Sequence, residues 1–258
     1  MSAEVKILLE GYTNADSVIE GGGEKTQPTI TLVRDGDLVV VVDPGVLESQ
    51  QILIDALAKE NLTVKDANVV CITHSHIDHY RNIGMFPNAK TLEFFGLWER
   101  NTTQDWKEQF TDDIQILRTP GHDYTGITLL VTTKPDSNNP GVVAICGDIF
   151  WKENYPADPK DDPYASDPEK LKESREIILK MADWIIPGHG GIYKTDRDMT
   201  PPKKEVAAKP KKQIFGICKK CEKPMKTKYD SCRCRPYLCH HCCDCGLDCD
   251  LCGCSHKK

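Results

Sequence analysis

Four side chains able to bind a metal ion fall within six residues, in His74-Ser75-His76-Ile77-Asp78-His79. They follow directly on the apolar run Val69-Val70-Cys71-Ile72. A buried strand that ends in a turn there leaves all four together at its carboxyl edge. His74 and His76, two apart, point the same way off an extended or turning backbone, while Asp78 and His79 face a neighbouring position. The spacing therefore suits two ions side by side better than one. Imidazoles with a carboxylate, and no thiolate inside the loop, suit Zn²⁺ or another borderline divalent ion. Ser75 reads as a turn residue rather than a nucleophile.

Three more potential ligands end apolar runs further on, at Pro120-Gly121-His122, Gly147-Asp148 and Pro187-Gly188-His189. Glycine before each lets the backbone turn sharply and come close to an ion. One histidine at a strand end is more often structural than a ligand. Four ligand-bearing strand ends that supply five His and two Asp (His74, His76, Asp78, His79, His122, Asp148 and His189) point to a built metal site.

The elements that must hold these residues read as follows. Residues 5–9 form a strand, and Gly21-Gly22-Gly23 forms a loop with no phosphate-binding frame. Strands Thr29–Val33 and Leu38–Val42 make a hairpin around Asp35-Gly36. A helix over Leu47–Lys59 carries Leu53, Ala56 and Leu57 on one face. Strand Val69–Thr73 leads into the histidine loop. Ile114–Leu117 is a strand, and Thr128–Thr133 pairs with Gly141–Cys146. Asn154–Asp167, rich in Pro and Asp, reads as a surface loop. A helix over Glu169–Trp184 has Pro168 in its first turn and Ser166 or Asp167 as its cap, with Leu171, Ile177, Ile178, Met181 and Trp184 as its buried face.

With 258 residues and 39% apolar side chains, the chain suits one domain of about 200 residues and a small appendage. No stretch approaches the roughly 18 apolar residues of a membrane span. The first ten residues lack a charged segment followed by an apolar one, so the expectation is an intracellular protein, cytoplasmic with nuclear entry permitted. Charge and cysteine are both unevenly spread. Residues 201–258 hold 14 Lys and Arg against 6 Asp and Glu, a net of +8, whereas residues 1–200 hold 19 against 33, a net of −14. Eleven of the thirteen cysteines lie from Cys218 onward. Two segments of opposite charge suggest two jobs.

The H-x-H-x-D-H loop, the later lone His122, Asp148 and the final Gly188-His189, in this order, resemble the metallo-β-lactamase fold superfamily. The likeness spans about residues 5–195. It implies an α+β fold, a four-layer αββα sandwich, with the active site at one edge of two sheets. It also implies roles: His74, His76 and His122 for a first metal; Asp78, His79 and His189 for a second; Asp148 shared between them. Asp43, after its strand, matches an aspartate that braces the histidine loop. The resemblance further implies two Zn²⁺ ions that activate a bridging hydroxide, with Asp148 and Asp78 as catalytic residues. Asp78 both binds and guides the proton of the attacking water. The substrate class it implies is RNA phosphodiester, cut endonucleolytically. The alternatives are a small thioester or lactone, as in a glyoxalase-II-like hydrolase, and a non-catalytic zinc-binding adaptor.

The expected domains are a hydrolase domain over 1–196, a basic Pro/Lys linker over 197–213 and a Cys-rich module over 214–258. The linker holds Pro201-Pro202 and lysines 203, 204, 209, 211 and 212. The module has paired thiolates at metal-binding spacing, with Cys218, Cys221, Cys232, Cys234, Cys239, Cys242, Cys245, Cys249 and Cys252 as candidate ligands for one or two structural Zn²⁺ ions. So short a segment would draw most of its folding free energy from metal. Its readings are a structural or dimerising zinc module, a module that binds RNA or an acidic protein, and a metallothionein-like or redox tract. A homodimer is compatible with the first of these.

Overall fold

The computed structural model describes residues 2–15, 23–155 and 158–195, together with the backbone of two short strands beyond them. Gly21, Gly22, the 197–213 linker and the candidate cysteine ligands lie outside the described residues. The chain divides into two units, Met1–Thr200 and Pro201–Lys258.

The first unit begins with β1 (Glu4–Leu9), then two short strands that pair with each other, β2 (Tyr12–Thr13) and β3 (Thr26–Gln27). The hairpin β4 (Ile30–Asp35) and β5 (Leu38–Val42) turns at Gly36, where φ is +59°. Helix α1 (Gln50–Lys59), strand β6 (Val69–Cys71), a single helical turn α2 (Ile77–Tyr80) and strands β7 (Lys90–Glu93), β8 (Gly96–Glu99) and β9 (Thr102–Gln104) follow. These strands form a seven-stranded sheet in the order β1-β4-β5-β6-β7-β8-β9. A second sheet of five is built from β10 (Ile114–Arg118), β11 (Ile127–Thr133), β12 (Gly141–Ile145), then, after helix α3 (Pro168–Met181), β13 (Trp184–Ile186) and β14 (Tyr193–Lys194). In the second unit only the pair β15 (Gly216–Ile217) and β16 (Pro224–Met225) is described.

Strand alternation explains the layering. Val40 and Val42 of β5 point inward to meet Ile116, Leu129, Val131, Val143 and Ile145 of the second sheet. Val41, between them, points outward with Ile30, Leu32 and Val70 to meet Leu53 and Leu57 of α1. On the far side, Leu130, Ala144 and Ile185 meet Leu171 and Ile178 of α3. The order of layers is thus helix, sheet, sheet, helix, the α+β sandwich of a metallo-β-lactamase fold. Strands buried on both faces read as unbroken apolar runs, which is why Leu38–Val42 and Val69–Ile72 were visible in sequence.

Three expectations need correction. Helix α1 starts at Gln50, not Leu47, because the Ser49 side chain accepts the Gln51 N–H at 3.2 Å and caps it there. Helix α3 ends at Met181: Ala182 is extended, and Trp184–Ile186 instead pairs in parallel with Val143–Ile145. Asp167 is its cap, accepting from Lys170 N at 3.1 Å. The buried face of α3 is Leu171, Ser174, Arg175 and Ile178, whereas Ile177 and Met181 are exposed. Ser174 donates to the Pro120 carbonyl at 2.7 Å, and Arg175 stacks on Phe150 at 4.2 Å, so polar side chains hold the stripe that apolar counting missed.

Candidate metal centre

All seven proposed ligands come together at one edge of the sandwich, each on the segment that follows a strand. The loop after β6 carries His74 and His76 and leads into α2, which carries Asp78 and His79. His122 follows β10, Asp148 sits in a short turn after β12, and His189 follows β13. His74, His79, His122, Asp148 and His189 are buried.

Two clusters form. In the first, His74 Nε2 lies 3.0 Å and His122 Nε2 3.1 Å from His76 Nδ1. In the second, Asp78 Oδ2 lies 3.7 Å from His79 Nε2 and 3.6 Å from His189 Nε2. Asp148 stands between them. Its Oδ2 faces His74 Nε2 at 3.7 Å and His122 Nε2 at 3.4 Å, its Oδ1 faces His79 Nε2 at 3.3 Å, and both oxygens lie 3.3 Å from His189 Nε2. The carboxylate is within reach of both clusters.

The donor set fits two divalent ions. A tetrahedral ion with bonds of about 2.0–2.1 Å holds its donors roughly 3.4 Å apart, close to the separations here. His79 Nε2 and Asp148 Oδ1 are buried without a hydrogen-bond partner, which is costly unless an ion takes their lone pairs. Converging imidazole and carboxylate donors, with no thiolate among them, suit a borderline or hard cation.

Neighbouring groups fix each ring. Asp43 Oδ1 accepts the Thr73 N–H at 2.8 Å, and its Oδ2 accepts the Thr73 hydroxyl at 2.7 Å and the His79 Nδ1–H at 2.8 Å. Asp43 takes a left-handed conformation, φ +50°, which turns its side chain back into this corner. His189 Nδ1 donates to the Gln27 carbonyl at 2.9 Å. Thr26 donates to Asp78 Oδ2 at 3.1 Å. Asp162 Oδ2 faces His122 Nδ1 at 3.3 Å. With these protons held on the far nitrogens, Nε2 of His79 and His189 is free to bind, while His122 Nδ1 is approached by both Asp162 Oδ2 and the Trp151 indole N–H, the latter at 3.4 Å.

Glycine appears where backbone crowds the site. At Gly188 an added Cβ would overlap Asp148 Oδ1, and at Gly147, φ +52°, it would strike the Thr73 hydroxyl. Strand-like hydrogen bonds then lock the segments: Gly188 N to Phe150 O at 2.9 Å, and His189 N to Trp151 O at 2.6 Å.

The electrostatics follow from burial and neighbours. Burial pushes the His74 ring well below the ordinary imidazole range, with His79 beside it adding to the effect. Burial also works against charge on His79 and His189, but Asp148 together with Asp43 raises the first, and Asp148 together with the Gln27 carbonyl raises the second. Burial works to raise the Asp148 carboxyl, yet His189 and His79 hold it well below the carboxylate range.

A pocket of about 350 Å³ opens onto the clusters. Its walls include Thr26, Ile77, Trp151 and Tyr164 beside the ligand side chains. Asp162, Gln27, Trp151 and Tyr164 were not singled out from sequence. Asp162 is one of several acids in a loop read as surface, yet it is buried, and only the pairing with His122 distinguishes it. Ser75, in contrast, is an exposed turn residue bonded to Asp123 and Thr125.

The αββα sandwich and the paired His/Asp clusters at its edge define a metal-dependent hydrolase, and the chain belongs to the metallo-beta-lactamase superfamily. The superfamily model matches residues 23–96. Among curated proteins, metallo-beta-lactamase domain-containing protein 1 of Xenopus laevis is 33% identical over 200 residues, covering 74% of this chain and 81% of its own length. A Thermotoga maritima structure classed with the metallo-beta-lactamases overlays with a TM-score of 0.59 at 22% identity, covering 75% of this chain and all of that one. The dizinc quorum-quenching lactonase AidC, solved with N-hexanoyl-L-homoserine, gives 0.51 at 14% identity over 73% of this chain and 84% of its own.

Proposed function

We propose that this chain is a binuclear zinc-dependent hydrolase. The observation that carries this is Asp148, whose carboxylate lies between two clusters of ligand atoms and within 3.7 Å of ring nitrogens from both. His74, His76 and His122 would hold one ion, and Asp78, His79 and His189 the other. Zinc held there lowers the pKa of water toward neutrality and polarises the oxygen of an electrophile. Around it, Asp43, the Gln27 carbonyl and Asp162 keep ring protons on the far nitrogens. Asp78 Oδ2, held by Thr26 and lining the pocket, is placed to accept a proton from the attacking water. Trp151 and Tyr164, their rings 5.4 Å apart, form one wall of the pocket. No protein nucleophile is needed.

Two substrate classes suit this machinery. RNA phosphodiester is the class implied by the superfamily likeness, and the +8 charge of residues 201–258 supports contact with a polyanion or an acidic protein. A small ester, thioester or lactone is supported by the Ile77, Trp151 and Tyr164 wall of the pocket. Structural zinc on the C-terminal cysteines, and a cytoplasmic or nuclear location, complete the proposal. The competing reading, a non-catalytic adaptor, is opposed by a complete ligand set.

The test loads the full-length protein with zinc and assays a labelled structured RNA and a 4-nitrophenyl ester, with Asp148→Ala in parallel. Turnover of either substrate by the first protein and neither by the second supports the hydrolase. Two zinc ions bound per site with no turnover of any substrate favours the adaptor.

A further inference from the structure

The wall of the pocket carries a charge pattern that separates the two substrate classes. Beyond the metal ligands it presents Ile77, Trp151 and Tyr164, with Glu24 at the mouth. Ile77 is 57% exposed although it lies between two ligands, and Tyr164 is 45% exposed. The Trp151 and Tyr164 rings lie 5.4 Å apart, tilted by 50°. The Tyr164 hydroxyl donates to Glu24 Oε2 at 2.8 Å, which joins the loop before α3 to the segment before β3 across the opening. Among the described residues, no Lys or Arg lines this pocket.

A polynucleotide brings a phosphate on each side of the scissile one, and sites for it neutralise those charges with Lys and Arg. Here the charged neighbour outside the ligand set is the Glu24 carboxylate. Aromatic rings can stack bases, but such sites pair stacking with a cationic groove. An apolar group against Ile77, Trp151 and Tyr164, by contrast, gains from burial and meets no unpaired charge.

We propose that the substrate is an uncharged carboxylic ester or thioester whose apolar acyl group lies against Ile77, Trp151 and Tyr164. The inference rests on the hydrolase reading above. Water adds through its oxygen to the acyl carbon, and the bond from that carbon to the leaving oxygen or sulfur breaks with its electron pair. One water proton goes to the leaving group; the other leaves through Asp78 to solvent as the acid departs as carboxylate.

The experiment uses the zinc-loaded full chain with 4-nitrophenyl acetate, butyrate and hexanoate, bis(4-nitrophenyl) phosphate and the labelled RNA. Each rate is taken as the enhancement over the uncatalysed reaction. The expected result is enhancement for the carboxylic esters above both phosphodiesters, with kcat/KM rising by up to about fourfold per added methylene. Ile77→Ala with Tyr164→Ala should flatten that rise while two zinc ions remain bound. Greater enhancement on either phosphodiester, or no dependence on acyl length, overturns the acyl assignment and leaves the hydrolase standing. No turnover of any substrate at full zinc content overturns both.

Discussion

Asp162 Oδ2 lies 3.3 Å from His122 Nδ1, and the aspartate side chain is wholly buried. Its other oxygen accepts the Tyr164 N–H at 2.8 Å, so the turn that carries a pocket wall also orients a metal ligand. A carboxylate at this position favours a ring proton on Nδ1, in competition with the Trp151 indole N–H at 3.4 Å, and so favours an Nε2 lone pair that faces His76 and Asp148. Asp162→Asn removes that preference without removing volume. We expect zinc affinity to fall by about 10- to 100-fold, read by competition with a chromophoric chelator. An unchanged affinity in a folded variant would show that His122 needs no such partner.

Gly188 is predicted to tolerate no side chain. The Cβ of Gly188→Ala would occupy the space of Asp148 Oδ1, and the backbone cannot retreat because Gly188 N is tied to Phe150 and Gly188 O accepts from Thr29. The aspartate must rotate out of both clusters. Metal analysis should find less bound zinc than in the wild type, and stability should drop by roughly 1–3 kcal/mol in urea.

Asp43 closes a corner that no other side chain fills. Asp43→Ala leaves the buried Thr73 N–H and His79 Nδ1–H unpaired, each at a cost of about 1–3 kcal/mol. It also puts alanine at φ +50°, where aspartate and asparagine are better tolerated. Asp43→Asn keeps that tolerance and a carbonyl acceptor. The denaturant midpoint should therefore order wild type, Asn, Ala; equal midpoints for the two variants would argue against the hydrogen-bond account.

Proton release sets the pH dependence of metal binding. Burial lowers His79 and His189, but Asp148 raises both above the ordinary imidazole value on balance. In the metal-free chain, the pairing of these rings with Asp148 stabilises the fold fully below the ordinary imidazole value and is lost as pH rises through the raised ones. The same protons must leave for an ion to bind. Zinc affinity should climb from about pH 6 upward, roughly tenfold per pH unit for each proton displaced, then level off. A flat profile by chelator competition would mean that the rings are already neutral.

Much of this site was legible because its ligands sit where apolar strands stop. Val69–Cys71, Ile114–Arg118, Gly141–Ile145 and Trp184–Ile186 each run out at the same edge, and a ligand follows three or four residues on. Two kinds of feature stayed hidden. Short strands such as Lys90–Glu93 and Tyr193–Lys194 carry no periodicity of their own and exist because a neighbour supplies their hydrogen bonds. Asp162 and Gln27 act on partners far away in sequence, and Gln27 does so through its own backbone carbonyl, which leaves no trace in residue type. The face of α3 was misread because Arg175 and Ser174 are buried by specific partners, not by hydrophobicity.

Each cluster draws two ligands from the loop and turn that follow β6 in one sheet, and its remaining His from a strand end of the other: His74 and His76 with His122, Asp78 and His79 with His189. An ion in either cluster is therefore a clasp across the seam of the sandwich, joining distant parts of the chain as a disulfide would. It binds only when the two sheets are docked, so it favours the assembled state by mass action. Stripping the metal should free the catalytic edge to part while the apolar seam between the sheets still holds.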